Sequence, residues 1–287
     1  MTRIVLMLAA LAGTVVLAGC GGAGRSGTTV VAAFYPLAFA ASEIGGGAVH
    51  VRNLTPAGAE PHDRELTPGD VRDVRDADVV FYLGGGFMPA LEQALESRAD
   101  PSVDLLALPG LAPFRGAGGG AALDPHVWLD PLRYRTMARA IGGSLGRRQR
   151  AAAFARRLDD LDAAFRAGLR TCARRQIVTS HAAFGYLARR YRLEQVPLEG
   201  LSPESEPSAQ ALERLVRTVE RSGSTTVFFE PLVSPKLAQT VARAAGVRTA
   251  VLDPLEGLAP DEVAAGKDYF SVMRENLAAL RKALGCR

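Results

Sequence analysis

The chain has 287 residues, of which 48% are hydrophobic and 22% charged, and its formal net charge is +4. This length is enough for two modest domains with apolar cores. The positive charge comes mostly from arginines scattered beside acidic residues along predicted helices. A nucleic-acid-binding face would instead cluster its charge, so we expect no nucleic-acid partner.

The N-terminal residues are typical of an export signal. Residues 4–18 are almost wholly apolar, a run too short for a membrane span of about 20 residues but long enough for a signal-peptide core. The run ends in Leu-Ala-Gly-Cys20, which resembles the lipobox of bacterial lipoproteins. We therefore expect a signal peptide over 1–19, lipidation of Cys20 and a flexible tether over 20–27, which together anchor an extracytoplasmic protein to the cell membrane. An ordinary secretory signal with an incidental cysteine is the alternative.

Strand-like and helical segments alternate through the first half of the chain. β-Branched and apolar runs predict strands at 28–35, 49–54, 78–83 and 103–106. Helical spacing and capping residues predict helices at 37–45, 67–76, 89–98 and 132–145. Two of these helices have an N-cap residue followed by proline, at Thr67-Pro68 and Asp130-Pro131.

A long amphipathic helix is predicted over 149–172, because apolar residues recur there at spacings of three and four. The second half again alternates, with strands at 176–180, 225–230 and 247–252 and helices at 182–191, 208–221, 235–245 and 268–284. Alternating strands and helices favour parallel sheets. We predict an α/β fold of two lobes, at 28–148 and 175–287, each a mostly parallel sheet flanked by helices, joined by one long rigid helix over 149–174.

The two cysteines beyond Cys20 are Cys172 and Cys286. An even number of cysteines in an exported protein favours a disulfide. Such a bridge would tie the last helix to the segment before the strand at 176–180. Two free buried thiols are the alternative.

Three histidines and one aspartate lie where apolar runs give way to loops: His62, His126, His181 and Asp253. Ligands of open α/β folds collect at the carboxyl ends of strands. Three imidazoles and one carboxylate are a complete shell for a divalent transition metal, so we predict a metal site from these four residues. Alternatives for the carboxylate are Glu60 and Asp63.

Three further carboxylates, Asp124, Glu206 and Glu230, are candidates for orienting the imidazoles. Ligating histidines usually donate their other ring N–H to a carboxylate or a carbonyl. Helix capping or solvation at the surface is the alternative role for all three. Trp128 is expected to be a core residue beneath the site.

Several segments together resemble the metal-specific substrate-binding proteins of ABC importers, the ZnuA/TroA-like zinc and manganese cluster (solute-binding family 9). They are Pro56-x-Gly58-x-x-Pro61-His62-Asp63, Asp124-Pro-His-Val-Trp-Leu-Asp-Pro131, Thr179-Ser-His-Ala-Ala-Phe-Gly-Tyr186, 200–207, 228–231 and Val251-Leu-Asp-Pro-Leu-Glu256. The resemblance implies two α/β lobes with a metal between them, held by His62 and His126 from the first lobe and His181 and Asp253 from the second. A histidine at the third ligand position is typical of the zinc-type members, and imidazoles suit Zn²⁺ better than Mn²⁺.

The resemblance implies a function without bond chemistry. We expect a monomeric extracytoplasmic lipoprotein that captures Zn²⁺ and delivers it to an ABC permease, with energy from an ATPase subunit on another chain. Alternatives are a Mn²⁺- or Fe²⁺-binding member of the same group, a metal-dependent adhesin, or an exported metallohydrolase. The sequence has no Walker A, His-Glu-x-x-His, Gly-x-Ser-x-Gly or Cys-x-x-Cys motif, so NTPase, hydrolase and redox functions have no positive support.

Overall fold

The computed structural model describes residues 27–62, 64–111, 113–115, 123–201 and 209–287. Within these ranges the chain forms two parallel sheets flanked by helices, which confirms the predicted α/β class. Across the same ranges, no helix combines the length and apolar character needed to cross a bilayer. The predicted signal peptide, Cys20, Asp63 and Glu206 lie outside the described residues.

The first sheet is built from β1 (Thr28–Ala32), β2 (Val49–Asn53), β3 (Val79–Tyr82) and β4 (Ser102–Asp104). Its connections contain α1 (Tyr35–Gly45), α2 (Pro68–Asp76) and α3 (Pro89–Leu95). The strand order is β2-β1-β3-β4, and each neighbouring pair is parallel. β1 lies inside the sheet, between β2 and β3. Its Val30, Val31 and Ala32 are buried, as expected for a strand covered by helices on both faces.

Helices α4 (Pro131–Ser144) and α5 (Arg148–Gly168) follow the first sheet. The predicted cap at Asp130 is present, because its carboxylate accepts a hydrogen bond from the Leu132 N–H at 3.0 Å. α5 ends four residues before the predicted limit of 172, yet it is the long helix that the sequence predicts to link the halves. Its buried stripe has the predicted spacing and consists of Phe154, Leu158, Leu161 and Phe165.

The second sheet is built from β5 (Gln176–Thr179), β6 (Glu194–Pro197), β7 (Thr226–Phe229) and β8 (Arg248–Val251), in the order β6-β5-β7-β8 and again parallel. Its helices are α6 (Gly185–Tyr191), α7 (Ala209–Ser222), α8 (Lys236–Ala244), α9 (Pro260–Ala264) and α10 (Tyr269–Leu284). Two of these elements, β6 and α9, are not among those that the sequence predicts. β6 is an edge strand whose polar Glu-Gln-Val-Pro run lacks the apolar pattern of a buried strand.

Helix α10 ties the two halves together. Its Tyr269 ring lies 4.6 Å from Tyr134 of α4, and its Phe270 ring lies 5.4 Å from Phe154 of α5. The C-terminal end of α10 carries the predicted disulfide, because Cys286 is bonded to Cys172. Buried side chains from both halves therefore form one continuous apolar cluster. The residue limits of the lobes stay a prediction.

Candidate metal site

The three predicted histidines meet between the two sheets. His126 Nε2 lies 3.4 Å from His181 Nε2, and the His62 ring centre lies 5.5 Å from that of His126. His126 and His181 are fully buried. Since His62 and His126 lie on loops of the first half and His181 follows β5, the contact forms only when the two halves are assembled.

The fourth member of the cluster is Glu256. Its Oε1 lies 3.2 Å from His62 Nε2, 2.9 Å from His126 Nε2 and 3.5 Å from His181 Nε2. One donor atom from each of the four residues lies within 4.8 Å of the others. Three imidazole nitrogens thus point at a single buried carboxylate oxygen, which is the arrangement of a potential four-coordinate metal site.

Asp253, the carboxylate that the sequence predicts as a ligand, does not lie in this cluster, where Glu256 supplies the carboxylate instead. The Asp253 Oδ1 instead accepts a hydrogen bond from the Leu255 N–H at 2.7 Å. Leu255 has a positive φ of 58°, a left-handed turn that a non-glycine residue rarely adopts. The turn changes the direction of the chain after Pro254, so that the Glu256 side chain reaches the histidines. Of the alternative carboxylates, Glu60 is not a member of the cluster either.

Two of the predicted orienting carboxylates contact the outer nitrogens of the imidazoles. His126 Nδ1 lies 2.7 Å from Asp124 Oδ1, and His181 Nδ1 lies 2.7 Å from Glu230 Oε2. Since an ionised carboxylate only accepts, each Nδ1 donates its hydrogen and each Nε2 faces the centre of the cluster. This is the carboxylate–histidine pairing that fixes the ring orientation of metal ligands.

Charge interactions shift the pKa values of three residues in the metal-free cluster. Burial lowers the pKa of His126, but hydrogen bonds to Asp124 and Glu256 outweigh it and raise the pKa above its usual value. Burial likewise opposes protonation of His181, yet its contacts with Glu230 and Glu256 raise its pKa well above the usual range. For Glu256, burial is outweighed by the three imidazoles, and its pKa is well below the usual value. The metal-free cluster therefore holds an anionic Glu256 carboxylate beside His126 and His181, whose protonated forms are favoured.

Glu60 borders the cluster and has the opposite tendency. Burial, and then the negative charge of Glu256, raise the pKa of Glu60 to about 8. Its Oε1 accepts a hydrogen bond from the His62 N–H at 3.3 Å. Glu60 therefore shapes the loop that presents His62, and it is largely protonated at neutral pH in the metal-free state.

The loop that carries Glu256 is fixed on both sides. Trp128 Nε1 donates to the Pro254 carbonyl at 2.7 Å, and Asn276 of α10 bonds both the N–H and the carbonyl of Asp253. Trp128 is a fully buried core residue, as predicted. These contacts join the first-half loop of His126 to the second-half loop of Glu256, so the donor set is preorganised.

The donor set selects among ligands by its chemistry. Three nitrogens and one carboxylate oxygen suit a borderline divalent ion such as Zn²⁺, whereas Mn²⁺, Mg²⁺ and Ca²⁺ favour sites richer in oxygen. A cluster with these donors is too small and too deeply buried for an organic substrate. The arrangement can therefore capture a single bare transition-metal ion.

A family model matches nearly the whole length of this chain. The family model described as "Zinc-uptake complex component A periplasmic", ZnuA, matches residues 30–283. The zinc-binding lipoprotein AdcA of Streptococcus pneumoniae is 35% identical over 305 aligned positions, which cover 98% of this chain and 61% of AdcA. The chain thus spans about three fifths of the length of this relative.

Two further proteins match over nearly their whole length. The high-affinity zinc uptake system protein ZnuA of Bacillus subtilis is 31% identical and is covered to 93%, as is this chain. The crystal structure of the Zn(II)-bound ZnuA-like domain of Streptococcus pneumoniae AdcA superposes with a TM-score of 0.77 at 34% identity, covering 90% of this chain and 99% of that domain.

Proposed function

Because this chain belongs to the ZnuA family of periplasmic zinc-uptake components, we propose that it captures Zn²⁺ outside the cytoplasm and delivers it to an ABC permease. The energy for import comes from an ATPase subunit on another chain. The observation that carries this proposal is the convergence of three imidazole Nε2 atoms on the Glu256 carboxylate, with two outer nitrogens held by carboxylates.

The ligands in this proposal are His62, His126, His181 and Glu256. Neutral imidazoles and the ionised carboxylate replace the water around the ion, and the protons that His126 and His181 hold in the metal-free site leave as the metal enters. Four protein donors complete a tetrahedral shell. This favours capture over hydrolytic use of the metal, because a catalytic zinc keeps one coordination position for water.

The proposed location follows from the family and from the N-terminal sequence. Export of the chain and lipidation at Cys20 would hold the binding lobes beside the permease in the membrane. Lipid anchors give strong attachment when more than one acyl chain inserts. A monomer is sufficient, because both halves of the site come from one chain.

Release to the permease requires only local change. The apolar cluster that joins the two halves includes α10, and Trp128 bonds the loop of Glu256, so large separation of the halves would break much apolar packing. A small shift of the Glu256 loop or of the His62 loop would open the coordination shell. Contact with the permease is the proposed trigger for that shift.

The proposal is tested by removing bound metal with a chelator and measuring zinc affinity by competition with a chromogenic chelator. We expect one tightly bound Zn²⁺ per chain and much weaker binding of Mn²⁺. His126→Ala should lower the zinc affinity more than about 100-fold, beyond the loss that follows changes around a metal ligand. His50→Ala is the matched control, because His50 is exposed on β2. Unchanged affinity in His126→Ala would contradict the site.

A further inference from the structure

Tyr186 makes a polar contact across the two halves of the protein. It lies on α6 of the second half, and its hydroxyl donates to the Asp124 carbonyl at 2.9 Å. The same oxygen accepts a hydrogen bond from the Phe114 N–H at 3.2 Å. Burial, and then the charge of Asp124, raise the pKa of Tyr186 to about 12. The phenol therefore keeps its proton and remains a donor at neutral pH.

The Tyr186 ring is fixed by its surroundings. Its centre lies 4.1 Å from the ring centre of Phe114, and the Arg133 guanidinium lies 4.8 Å above it. The Arg189 guanidinium lies 5.5 Å from the Phe114 ring in turn. The two rings are tilted by 35° to each other, and close ring pairs flanked by cations are favourable. These contacts and the two hydrogen bonds of the hydroxyl fix the position of Tyr186.

Gly185, the neighbour of Tyr186, leaves the space that the Asp124 carboxylate occupies. A Cβ at Gly185 would lie 2.9 Å from Asp124 Oδ2 and 3.3 Å from the Phe114 ring. The absence of a side chain at residue 185 thus leaves room for the Asp124 carboxylate, while the Tyr186 hydroxyl bonds the Asp124 carbonyl. Crowding at residue 185 would therefore disturb Asp124 without removing the hydrogen bond that the hydroxyl makes.

Asp124 in turn determines the orientation of His126. Its Oδ1 accepts from the His126 N–H at 2.9 Å and from the His126 Nδ1–H at 2.7 Å. A continuous series of contacts therefore runs from the second half through Tyr186 and Asp124 to His126 in the first half. Any displacement of α6 relative to Asp124 would strain or release this imidazole.

We propose that Tyr186 is a positioning residue that ties His126 to the second half of the protein and so slows the escape of the bound metal. The inference rests on the proposed function, because it assigns a device that controls release from the same site. When the halves shift, the Tyr186 hydrogen bond breaks, Asp124 gains freedom, and His126 loses its fixed orientation.

The test compares Tyr186→Phe with Tyr191→Phe in the full chain. Both changes remove one buried hydroxyl from α6, and the Tyr191 hydroxyl bonds Asp162 at 3.2 Å, away from the cluster. Zinc release into excess chelator is followed by stopped flow. We expect Tyr186→Phe to release Zn²⁺ about tenfold faster, at the lower end of the range for groups behind a metal ligand. Tyr191→Phe should stay within about twofold of the wild-type rate.

Melting temperatures of the metal-free variants separate positioning from stability. Tyr186→Phe loses two hydrogen bonds, to the Asp124 carbonyl and from the Phe114 N–H, whereas Tyr191→Phe loses the one to Asp162. We therefore expect a small drop in melting temperature for both variants, somewhat larger for Tyr186→Phe, but faster zinc release for Tyr186→Phe alone. The His126 Nδ1–H resonance should shift in Tyr186→Phe and stay in place in Tyr191→Phe. Gly185→Ala, which crowds the Asp124 carboxylate, should also speed release.

The outcomes distinguish this inference from the proposed function. If the wild-type chain retains zinc and Tyr186→Phe releases it at the wild-type rate, the positioning role is wrong and the zinc function stands. Equal acceleration in Tyr191→Phe would also overturn the positioning role, because general loosening of α6 would then explain both. Failure of the wild-type chain to retain zinc would overturn both proposals.

Discussion

The position of Glu256 depends on the left-handed turn at Leu255. Leu255 has a φ of 58°, a conformation that costs a non-glycine residue about 1–2 kcal/mol. Contacts on both sides stabilise it: Asp253 Oδ1 accepts the Leu255 N–H, and Trp128 holds the Pro254 carbonyl. Asp253 therefore shapes the turn, and Glu256 supplies the carboxylate that faces the histidines.

Substitution of the two carboxylates by amides separates these roles. Glu256→Gln removes the anionic oxygen at the centre of the cluster, so we expect zinc affinity to fall more than about 100-fold. Asp253→Asn retains an acceptor for the Leu255 N–H, so its affinity should stay within about tenfold of wild type. Isothermal titration with a competing chelator measures both. A larger loss in Asp253→Asn than in Glu256→Gln would restore Asp253 as the ligand.

Three of the four residues in the candidate metal site are predicted from the sequence, and Glu256 is not. His62, His126 and His181 were predictable because each lies in a loop that follows a strand or flanks a proline. Asp253 has the same placement at the end of β8. The direction of a side chain within a tight turn depends on φ, and no sequence pattern at 253–256 predicts a positive φ at leucine. Glu256 belongs to the motif at 251–256 that carries the family resemblance. Its place in this motif is the sequence feature that could have identified it.

Helix caps and the apolar periodicity of the helices could be predicted from the sequence, whereas elements that depend on tertiary contacts could not. The capping box at Thr67 and Asp70 and the cap at Asp130 begin α2 and α4 as the sequence predicts. α6 begins at Gly185, three residues later than predicted. Residues 182–184 are not helical, and the Ala182 N–H donates to the Gly200 carbonyl at 2.7 Å instead. Tertiary contacts of that kind are not encoded in local propensity.

The disulfide joins α10 to the segment before β5 and closes a loop across 114 positions of sequence. Bridges across loops of this size stabilise a folded chain by about 2–5 kcal/mol. The double variant Cys172→Ser/Cys286→Ser should therefore lose stability of this order in urea unfolding.

Zinc affinity in the same double variant should stay near that of the wild type, because Cys172 precedes β5 and His181 follows the opposite end of that strand. The wild-type protein after mild reduction is the control. A loss of zinc affinity that matches the loss of stability would contradict the separation of the two regions.

Contacts on several sides of the candidate metal site hold the two halves of the molecule together. α10 packs on α4 of the first half and on the linking helix α5, and Arg190 of α6 forms a 2.5 Å ion pair with Asp130 of the first half. These contacts surround the buried cluster and limit how far the halves separate. We therefore expect metal binding to depend on the charge state of the cluster and not on a large closure of the two halves.

Protons compete with zinc for the imidazole nitrogens of this site. Because the pKa values of His126 and His181 are raised in the metal-free state, zinc affinity should begin to fall at a pH above the ordinary imidazole pKa of about 6.5. Titrations from about pH 8.5 to 5.5 in buffers of different ionisation enthalpy measure the affinity and the protons released. Affinity that stays constant down to the ordinary imidazole pKa would contradict the raised values.

The stability of the metal-free protein should have the opposite pH dependence. His126, His181, Glu60 and Asp253 all have raised pKa values when folded, about 8 for Glu60 and about 7 for Asp253. The folded state therefore binds more protons than the unfolded state, and its stability falls as the pH rises through these values. Melting temperatures should decrease from about pH 6 to pH 9 without metal, while the stabilisation by added zinc increases.

The most direct measurement is a crystal structure of the zinc-loaded protein with anomalous diffraction recorded at the zinc edge. We expect one anomalous peak between the Nε2 atoms of His62, His126 and His181 and the Glu256 carboxylate, at the usual distances of about 2.0–2.2 Å. A peak held by Asp253 in place of Glu256, or a peak outside this cluster, would contradict the account.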